Sequence, residues 1–496
     1  MSSGKYKIPN NILIKKPSGT TVKCIKNNYY VYEHLRITDP ITGKRKNASG
    51  KYLGKITLED GFVPVTNKIK DDDINIVDCG QYIIAINNSI DVYESLKNFF
   101  NIEDAKIIYC MAIIYFVHGY VSIRDFQHYY ECSILQLKFK NLPLSEESVR
   151  KYFKIAGRRT TRFEKFEQSL ISNGSGYYAI DGHVILSCST ENDMAAYGNK
   201  YNKIGNTQQN FMCVFDVELN RPVTCKPFDG GTLDKTAVED VFKTYKFKNT
   251  IFIIDAGFYS EKNIKLFSAD GNKYVTPLTA NSKSFKEMIN DLNFDDDFVY
   301  KKGKGKKTHA SLISYKEKKI ENNKKIIMFR DEEMNNKLKA EYKSLIGVDD
   351  EHTNEEYLQI KDKFGIIILE TNIESSCEII YCTYKKRWKI ETYYNHVKNQ
   401  EEFKATYNRD YYVLQIECFI MLVEGLIYSS FMDVLQKSDN KILKGKSLNE
   451  CISIAAHLKL SKHADNTWHK NEIRNSVTNL LEALNVDLDK ITNIDK

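Results

Sequence analysis

The sequence predicts an α/β fold, with a core of strands and helices that a charged inserted subdomain divides into two parts. Three observations support this prediction. Strand and helix patterns alternate over residues 171–280, a highly charged stretch of mixed pattern covers 281–363, and the alternation returns over 364–435. Alternating strands and helices pack as layers around a sheet. A stretch as long as the charged one is uncommon as a simple loop in a compact domain.

Two further regions are predicted ahead of the core. Residues 1–90 carry strand and turn patterns, and a hairpin is expected to join Tyr29–Ile37 to Lys51–Ile56. Residues 91–170 are predicted to be helical, and they include the strongly apolar helix Ala105–Val117. The chain is therefore expected to begin with a β-rich region and to continue into a helical one.

The helical region combines helix starts with basic residues. Ser122 and Ser145 are each placed to cap a helix, and acidic residues follow Ser145 in the first turn. Downstream lies a basic cluster that consists of Lys151, Lys154, Arg158, Arg159 and Arg162. Successive short helices that end in basic residues predict a helix-turn-helix-like module in which Arg158 and Arg159 contact DNA. An ordinary solvated helical face is the alternative.

The first part of the core has a specific order of elements. Strand patterns occupy Tyr177–Ser187, Phe211–Val217, Pro222–Pro227, Thr250–Asp255 and Lys273–Pro277. Helix patterns occupy Thr236–Tyr245 and Ser260–Leu266. Three strands, a helix, a strand, a helix and a strand is the order of an RNase H-like core.

The second part of the core is predicted to be a buried strand followed by helices. Phe364–Leu369 is the strand, and one long helix is expected over Glu374–Gln400. The region 436–496 is predicted to be a helical tail. The most apolar stretch, Val413–Phe431, contains one glutamine and two glutamates, which favours a buried core helix over a membrane span.

Composition limits the compartment and the partners. A net charge of +7 permits a polyanionic partner, and the local run Lys301–Lys307 is strongly basic. Eleven cysteines occur without a CxxC pair or zinc-type spacing, which is typical of reduced thiols in a cytoplasmic protein. The N-terminus has no signal-peptide pattern. We expect a cytoplasmic protein with no membrane association.

Three carboxylates are the candidates for catalysis. Asp181 lies inside the first core strand, Asp255 ends a buried apolar strand, and Glu391 lies in the predicted long helix. An acid inside an apolar strand is costly to desolvate unless something compensates its charge. Bound Mg²⁺ would do so, and two such ions about 3.5–4 Å apart promote phosphodiester cleavage. We predict Asp181, Asp255 and Glu391 as metal ligands, although a single acid at a strand end is more often a turn or cap residue.

The residues around Glu391 share one side of the predicted helix. On a continuous α-helix, Tyr384, Arg387, Glu391 and Lys398 fall within an arc of roughly 60°. Arginine offers a bidentate fork to phosphate and lysine a point charge. This combination predicts a face that binds a metal ion and a phosphate backbone.

With these residues in place, the sequence resembles the bacterial insertion-sequence transposases of the DDE superfamily, in the branch with the signature Y-x2-R-x3-E-x6-K. Tyr384, Arg387, Glu391 and Lys398 match its four positions. The segment around Asp255 resembles the family's second-acid motif, with Ala256 where arginine is common. Pro227–Asp234 resembles the F-x-G-N-x-x-D segment, with Gly231 in place of asparagine. The resemblance covers about 175–430.

The resemblance implies a function. Members have an RNase H-like core with an insertion between the second and third acids, and they catalyse cut-and-paste transposition with Mg²⁺ or Mn²⁺. The implied partners are the terminal inverted repeats of the element and the target DNA, held by a homodimer in the bacterial cytoplasm or nucleoid. Tyr384, Arg387 and Lys398 would hold the 5′-phosphate and the cut strand.

Some features depart from the family pattern, and two other functions stay open. His183 replaces the usual threonine or serine two residues after Asp181; it is expected to face the same side of the strand, where it would contact DNA or form a passive hydrogen bond. Trp388 lies about 60° from the centre of the signature face and is predicted to be core. A domesticated DNA-binding relative and a stand-alone DNA endonuclease are the alternatives to a transposase.

Overall fold

A computed structural model describes most of the chain. The described residues are 8–26, 28–38, 45–64, 76–189, 192–198, 206–232, 234–303, 309–321, 323–348, 351–399, 405–406, 410–463 and 467–487. The chain forms two compact units, Met1–Asn75 and Ile76–Lys496. The division into six regions that the sequence suggests stays a prediction.

The first unit is an antiparallel sheet. One short helix, α1 (Asn10–Leu13), precedes the strands β1 (Thr20–Ile25), β2 (Asn28–Thr38), β3 (Arg45–Thr57) and β4 (Gly61–Pro64), which pair in chain order. The predicted hairpin is confirmed, since Tyr29 pairs with Ile56 and Thr38 with Arg45. Ile12, Val22, Val31 and Ile56 form the small apolar core of this unit.

The second unit opens with helices. These are α2 (Gly80–Asn88), α3 (Ile90–Lys97), α4 (Ile102–His118), α5 (Phe126–Glu131), α6 (Leu135–Lys138), α7 (Glu146–Ala156) and α8 (Thr160–Ser172). The apolar helix α4 and the cap of α7 are confirmed, because the Ser145 side chain accepts a hydrogen bond from the Ser148 amide. The prediction that Ser122 caps α5 is wrong. The chain first makes a turn, in which the Asp125 amide donates to the Ser122 carbonyl, and the helix begins after it.

A large mixed sheet forms the centre of the second unit. Its first members are β6 (Tyr177–Ser187), β7 (Gln208–Asp216), β8 (Arg221–Phe228), α9 (Asp234–Thr244), β9 (Ile251–Ile254), α10 (Glu261–Phe267) and β10 (Lys273–Pro277). They confirm the predicted strands and helices to within a few residues at each end. β6, β9 and β10 are parallel, whereas β7 runs antiparallel to both of its neighbours, β6 and β8.

The charged segment adds strands to this same sheet. It contains α11 (Lys283–Ile289), β11 (Asp296–Lys302), β12 (His309–Lys319), β13 (Lys325–Asp331), α12 (Glu332–Leu345) and α13 (Asn354–Ile360), and β14 (Ile366–Thr371) follows. The strand order is β11-β12-β13-β14-β10-β9-β6-β7-β8. Because Phe329 of β13 pairs with Ile367 of β14, the strands of the segment continue the core sheet and do not form a sheet of their own.

The C-terminal part contains α14 (Cys377–Lys385), α15 (Trp388–Asn399), the short strand β15 (Ala405–Thr406), α16 (Tyr411–Lys437), α17 (Leu448–Ala455), β16 (Lys459–Lys462), β17 (Trp468–Lys470) and α18 (Asn475–Ala483). The prediction of a purely helical tail is wrong, because β16 and β17 form a hairpin that pairs with β5 (Ile76–Asp78). This pairing joins the two ends of the second unit.

The predicted single helix over Glu374–Gln400 is also wrong. It divides into α14 and α15 at Lys386–Arg387. At this point the helix tightens: the Lys386 amide donates to the Thr383 carbonyl and the Arg387 amide to the Tyr384 carbonyl, at 3.1 and 3.0 Å. Such i→i−3 bonds belong to a 3₁₀ turn, which rotates the later residues away from their places on a continuous α-helix.

α16 is the buried helix that its apolar sequence predicts. Its length and composition would allow it to cross a membrane, but 72% of its most apolar window is buried inside the protein. It packs against α4 and β8. Its two buried glutamates are satisfied, since Glu417 accepts a hydrogen bond from the Tyr120 hydroxyl and Glu424 pairs with His396. Polar partners of this kind are what burial of a carboxylate requires.

Helices cover both faces of the sheet. Phe252 of β9 contacts Phe242 of α9 and Phe267 of α10, with ring centroids 5.1 and 5.2 Å apart. On the other face, Phe215 of β7 lies 5.3 Å from Tyr393 of α15. Side chains alternate along a strand, so Asp181 and Asp255 belong to the face that α15 covers.

Candidate active site

Two of the predicted acids lie side by side. In the parallel pairing of β6 and β9, Ile180 is opposite Ile254, which makes Asp181 and Asp255 the next pair along the two strands. β9 ends there, and the Asp255 carboxylate caps a short 3₁₀ turn by accepting from the Ala256 amide at 2.7 Å. The Asp181 carboxylate accepts from the Gly182 amide at 2.9 Å. The sheet thus presents two carboxylates on one face.

The helix that carries Glu391 packs on this face. The Tyr394 hydroxyl donates a hydrogen bond of 2.8 Å to the Asp181 carbonyl oxygen. Tyr394 follows Glu391 by three residues, so the two side chains lie on the same side of α15. The third predicted acid is therefore on the side of the helix that faces β6.

Arg387 pairs with Glu391 and lies within the electrostatic influence of Asp255. Its guanidinium donates to Glu391 Oε1 at 2.5 Å and lies 5.9 Å from the centre of the Tyr384 ring. Burial lowers the pKa of Arg387, but the neighbouring Tyr384, Asp255 and Glu391 together raise it above its ordinary value. Two of the three acids therefore favour the charged form of one guanidinium.

Tyr384 is buried within this group and is 8% exposed. Burial raises the pKa of its phenol, and the Asp255 and Glu391 charges raise it further, against the opposing effect of Arg387. The phenol is therefore protonated at neutral pH and can act as a hydrogen-bond donor. In the described conformation its neighbour is Arg387.

Asp181, Asp255 and Glu391 carry the carboxylate oxygens that Mg²⁺ prefers, but their side chains do not form a complete metal-binding cluster. Among the residues that the structure describes, no group of three or more His, Cys, Asp or Glu side chains is close enough to hold a metal ion. The Glu391 carboxylate is engaged by Arg387 instead. A divalent ion bound through Glu391 Oε1 would compete with that guanidinium.

The other predicted DNA contacts lie in varied surroundings. His183 is buried, at 5% exposure, with its ring 5.3 Å from that of Tyr394. Arg158 and Arg159 are exposed in the turn between α7 and α8, where Arg158 lies 5.4 Å from the Tyr412 ring. Lys398 is in the last turn of α15, and its side chain is outside the described part of the chain.

Trp388 corrects the sequence prediction. It was expected in the core but is 62% exposed. The Lys302 ammonium, at the end of β11, lies 5.7 Å from the centre of its ring. The arc expected for a continuous α-helix fails here because the 3₁₀ turn precedes this residue. The basic residues on both sides of Trp388 in the sequence were the available signal for exposure.

A buried pair that sequence reasoning missed joins α15 to α16. His396 Nε2 lies 3.1 Å from Glu424 Oε1, and both side chains are 2% exposed. The His396 ring stacks on Tyr428 with centroids 3.7 Å apart. Since His396 lies five residues after Glu391, this pair fixes the helix that carries the third acid.

The family described as the transposase DDE domain matches residues 173–423. The chain belongs to this family. Its members are transposases that hydrolyse and transesterify DNA phosphodiesters, generally with divalent metal ions. The matched range contains Asp181, Asp255 and Glu391, so the DDE domain includes all three candidate acids.

Comparisons with individual proteins add less. No curated protein matches the chain significantly. A cryo-EM structure of the piggyBac transposase synaptic complex with hairpin DNA matches with a TM-score of 0.40 and 9% identity, over 72% of this chain and 71% of the other. A similarity at this level supports no conclusion about the DDE domain of this chain.

Proposed function

We propose that the protein is a DNA transposase that moves an insertion sequence by cut-and-paste transposition from an RNase H-like core. The observation that carries the proposal is the register of β6 and β9, which sets Asp181 beside Asp255 under the helix of Glu391. The order β8-β7-β6-β9-β10, with β6, β9 and β10 parallel, supports the RNase H-like assignment.

The three acids provide the metal site of this proposal. Asp181, Asp255 and Glu391 would hold two Mg²⁺ or Mn²⁺ ions, which activate the attacking oxygen and stabilise the leaving one when bound. Asp181 lies beside Asp255 on the face that α15 covers, and we assign it to both ions. Asp255 and Glu391 would each hold one.

The chemistry consists of successive exchanges at phosphorus. Water first adds to the phosphorus at the element end, the bond to the 3′-oxygen breaks, and that oxygen takes up a proton. The freed 3′-hydroxyl then attacks a phosphate of the opposite strand, which closes a hairpin and releases the flanking DNA. After water opens the hairpin, the same hydroxyl attacks target DNA. Every step exchanges one phosphorus–oxygen bond for another, so no further reactant is needed.

The remaining assigned residues hold DNA. Tyr384, Arg387 and Lys398 would bind the 5′-phosphate and the cut strand, and His183 would contact the DNA near Asp181. Exposed Arg158 and Arg159 would contact the duplex backbone, where phosphate contacts supply affinity without sequence preference. A homodimer would bridge the two terminal inverted repeats in the bacterial cytoplasm or nucleoid.

The test is cleavage of DNA by the purified protein. The substrate is a duplex that carries one end of the DNA flanking the coding region, including any inverted repeat. With Mg²⁺ or Mn²⁺ we expect a nick at the element end followed by a hairpin product, and EDTA should prevent both. Absence of cleavage with either ion, while the protein binds the duplex, would overturn the proposed function.

A further inference from the structure

Arg387 has two roles that exclude one another. The proposed function assigns it to a DNA phosphate, yet in the structure its guanidinium donates to Glu391 Oε1 at 2.5 Å. The side chains of Arg387 and Glu391 are 19% and 29% exposed, so this ion pair is largely sheltered from solvent. The Asp255 charge also acts on Arg387.

Electrostatics explains why the guanidinium lies here. Asp181 and Asp255 are neighbours in the sheet, and Glu391 lies on the helix above them. Several carboxylates in one place disfavour each other's charge unless a cation is near. Arg387 supplies that positive charge from within the chain. It precedes Glu391 by four residues and forms an ion pair with it.

We propose that Arg387 is an internal counter-ion for the acids. DNA and divalent cations must act together to release its guanidinium from Glu391. This inference rests on the proposed function. A phosphate that captures the guanidinium leaves Glu391 available to a metal ion, and a metal ion on Glu391 leaves the guanidinium available to phosphate.

The consequence is reciprocal coupling between DNA and metal. If a DNA end raises the affinity for a divalent cation, the cation raises the affinity for the DNA end by the same factor. Coupling between sites is typically about 5–150-fold. The charge of Arg387 is present throughout, so the coupling comes from its position and not from its titration.

The test measures Mn²⁺ affinity by electron paramagnetic resonance on the full chain, with and without a blunt duplex that mimics an already cut end. In the unchanged protein the duplex should tighten Mn²⁺ binding by about 5–150-fold. Arg387→Gln should bind Mn²⁺ more tightly without DNA and show little further gain with it. Arg387→Lys keeps the charge without the bidentate fork and should show intermediate coupling.

Arg330→Gln is the matched control. Arg330 forms a similar ion pair with Glu332, at 2.5 Å and 29% exposure, on β13 away from the acids. It should leave the coupling unchanged. Coupling of the full size in folded Arg387→Gln, or unchanged Mn²⁺ affinity of this variant without DNA, would overturn the inference. Either result would leave the proposed function standing if Asp255→Ala has lost cleavage.

Discussion

Asp255→Ala should abolish strand cleavage while DNA binding persists. Asp255 ends β9 beside Asp181, and its charge acts on Arg387 together with that of Glu391. Removing a residue that only supports a metal ligand lowers metal affinity or activity roughly 10–100-fold. Removing a direct ligand should therefore cost more than about 100-fold. The measurement is the rate of nicking of an end duplex with Mg²⁺ under single-turnover conditions.

Two controls make this expectation specific. Asp297→Ala removes an exposed aspartate on β11 and should leave nicking unchanged. Asp255→Asn keeps an acceptor for the Ala256 amide, which separates the capping of the 3₁₀ turn from the charge. We expect Asp255→Asn to fold normally and to remain inactive. Nicking at the unchanged rate by either Asp255 variant would show that the carboxylate has no catalytic role.

Glu424→Ala should destabilise the second unit by about 3 kcal/mol, the scale expected when one partner of a buried hydrogen-bonded pair is removed. Glu424 is the partner of His396, at 3.1 Å, and both are 2% exposed. Loss of the carboxylate removes the Glu424 oxygen from the buried imidazole of α15, which also stacks on Tyr428. The measurement is the free energy of unfolding in urea, with hydrogen exchange of α15 as a local readout.

Comparison of variants distinguishes the effect of losing the Glu424–His396 pair from the effect of losing side-chain volume. Glu424→Gln keeps an acceptor oxygen for His396 and should lose less stability than Glu424→Ala. Glu482→Ala, an exposed position on α18, should change stability little. If Glu424→Ala is as stable as the unchanged protein and α15 exchanges no faster, the pair does not fix the helix of Glu391.

The strands of the core were predictable because their patterns are local. β6 and β10 have the predicted bounds, since each is an apolar run bounded by turn residues. The two aspartates could be named from their places in such runs. Their adjacency could not, because it depends on the pairing of Ile180 with Ile254, two residues that are far apart in the sequence.

The predicted helix over Glu374–Gln400 shows what residue spacing alone does not predict. Spacing alone placed Tyr384, Arg387 and Glu391 on one face of a single helix, but i→i−3 hydrogen bonds at Lys386 and Arg387 divide it in two. The sequence contains no proline or glycine there to signal the break. As a result, Trp388 is exposed.

The charged insertion shows the same limit at a larger scale. Its composition distinguished it from the core patterns, but nothing local indicated that β13 would pair with β14. Edge strands of a sheet offer unpaired backbone groups, and the insertion satisfies them on this side of the core. Neighbours in the sheet are set by tertiary packing and not by charge.

The proposed function requires Asp181, Asp255 and Glu391 to hold the catalytic metal ions. Its most direct test counts the Mn²⁺ ions bound by the full chain when a blunt duplex is present, for the unchanged protein and for Asp255→Ala. We expect the unchanged protein to bind Mn²⁺ and the variant to lose at least one ion per chain. Equal numbers of bound ions with equal affinity would contradict the claim that these carboxylates form the metal site.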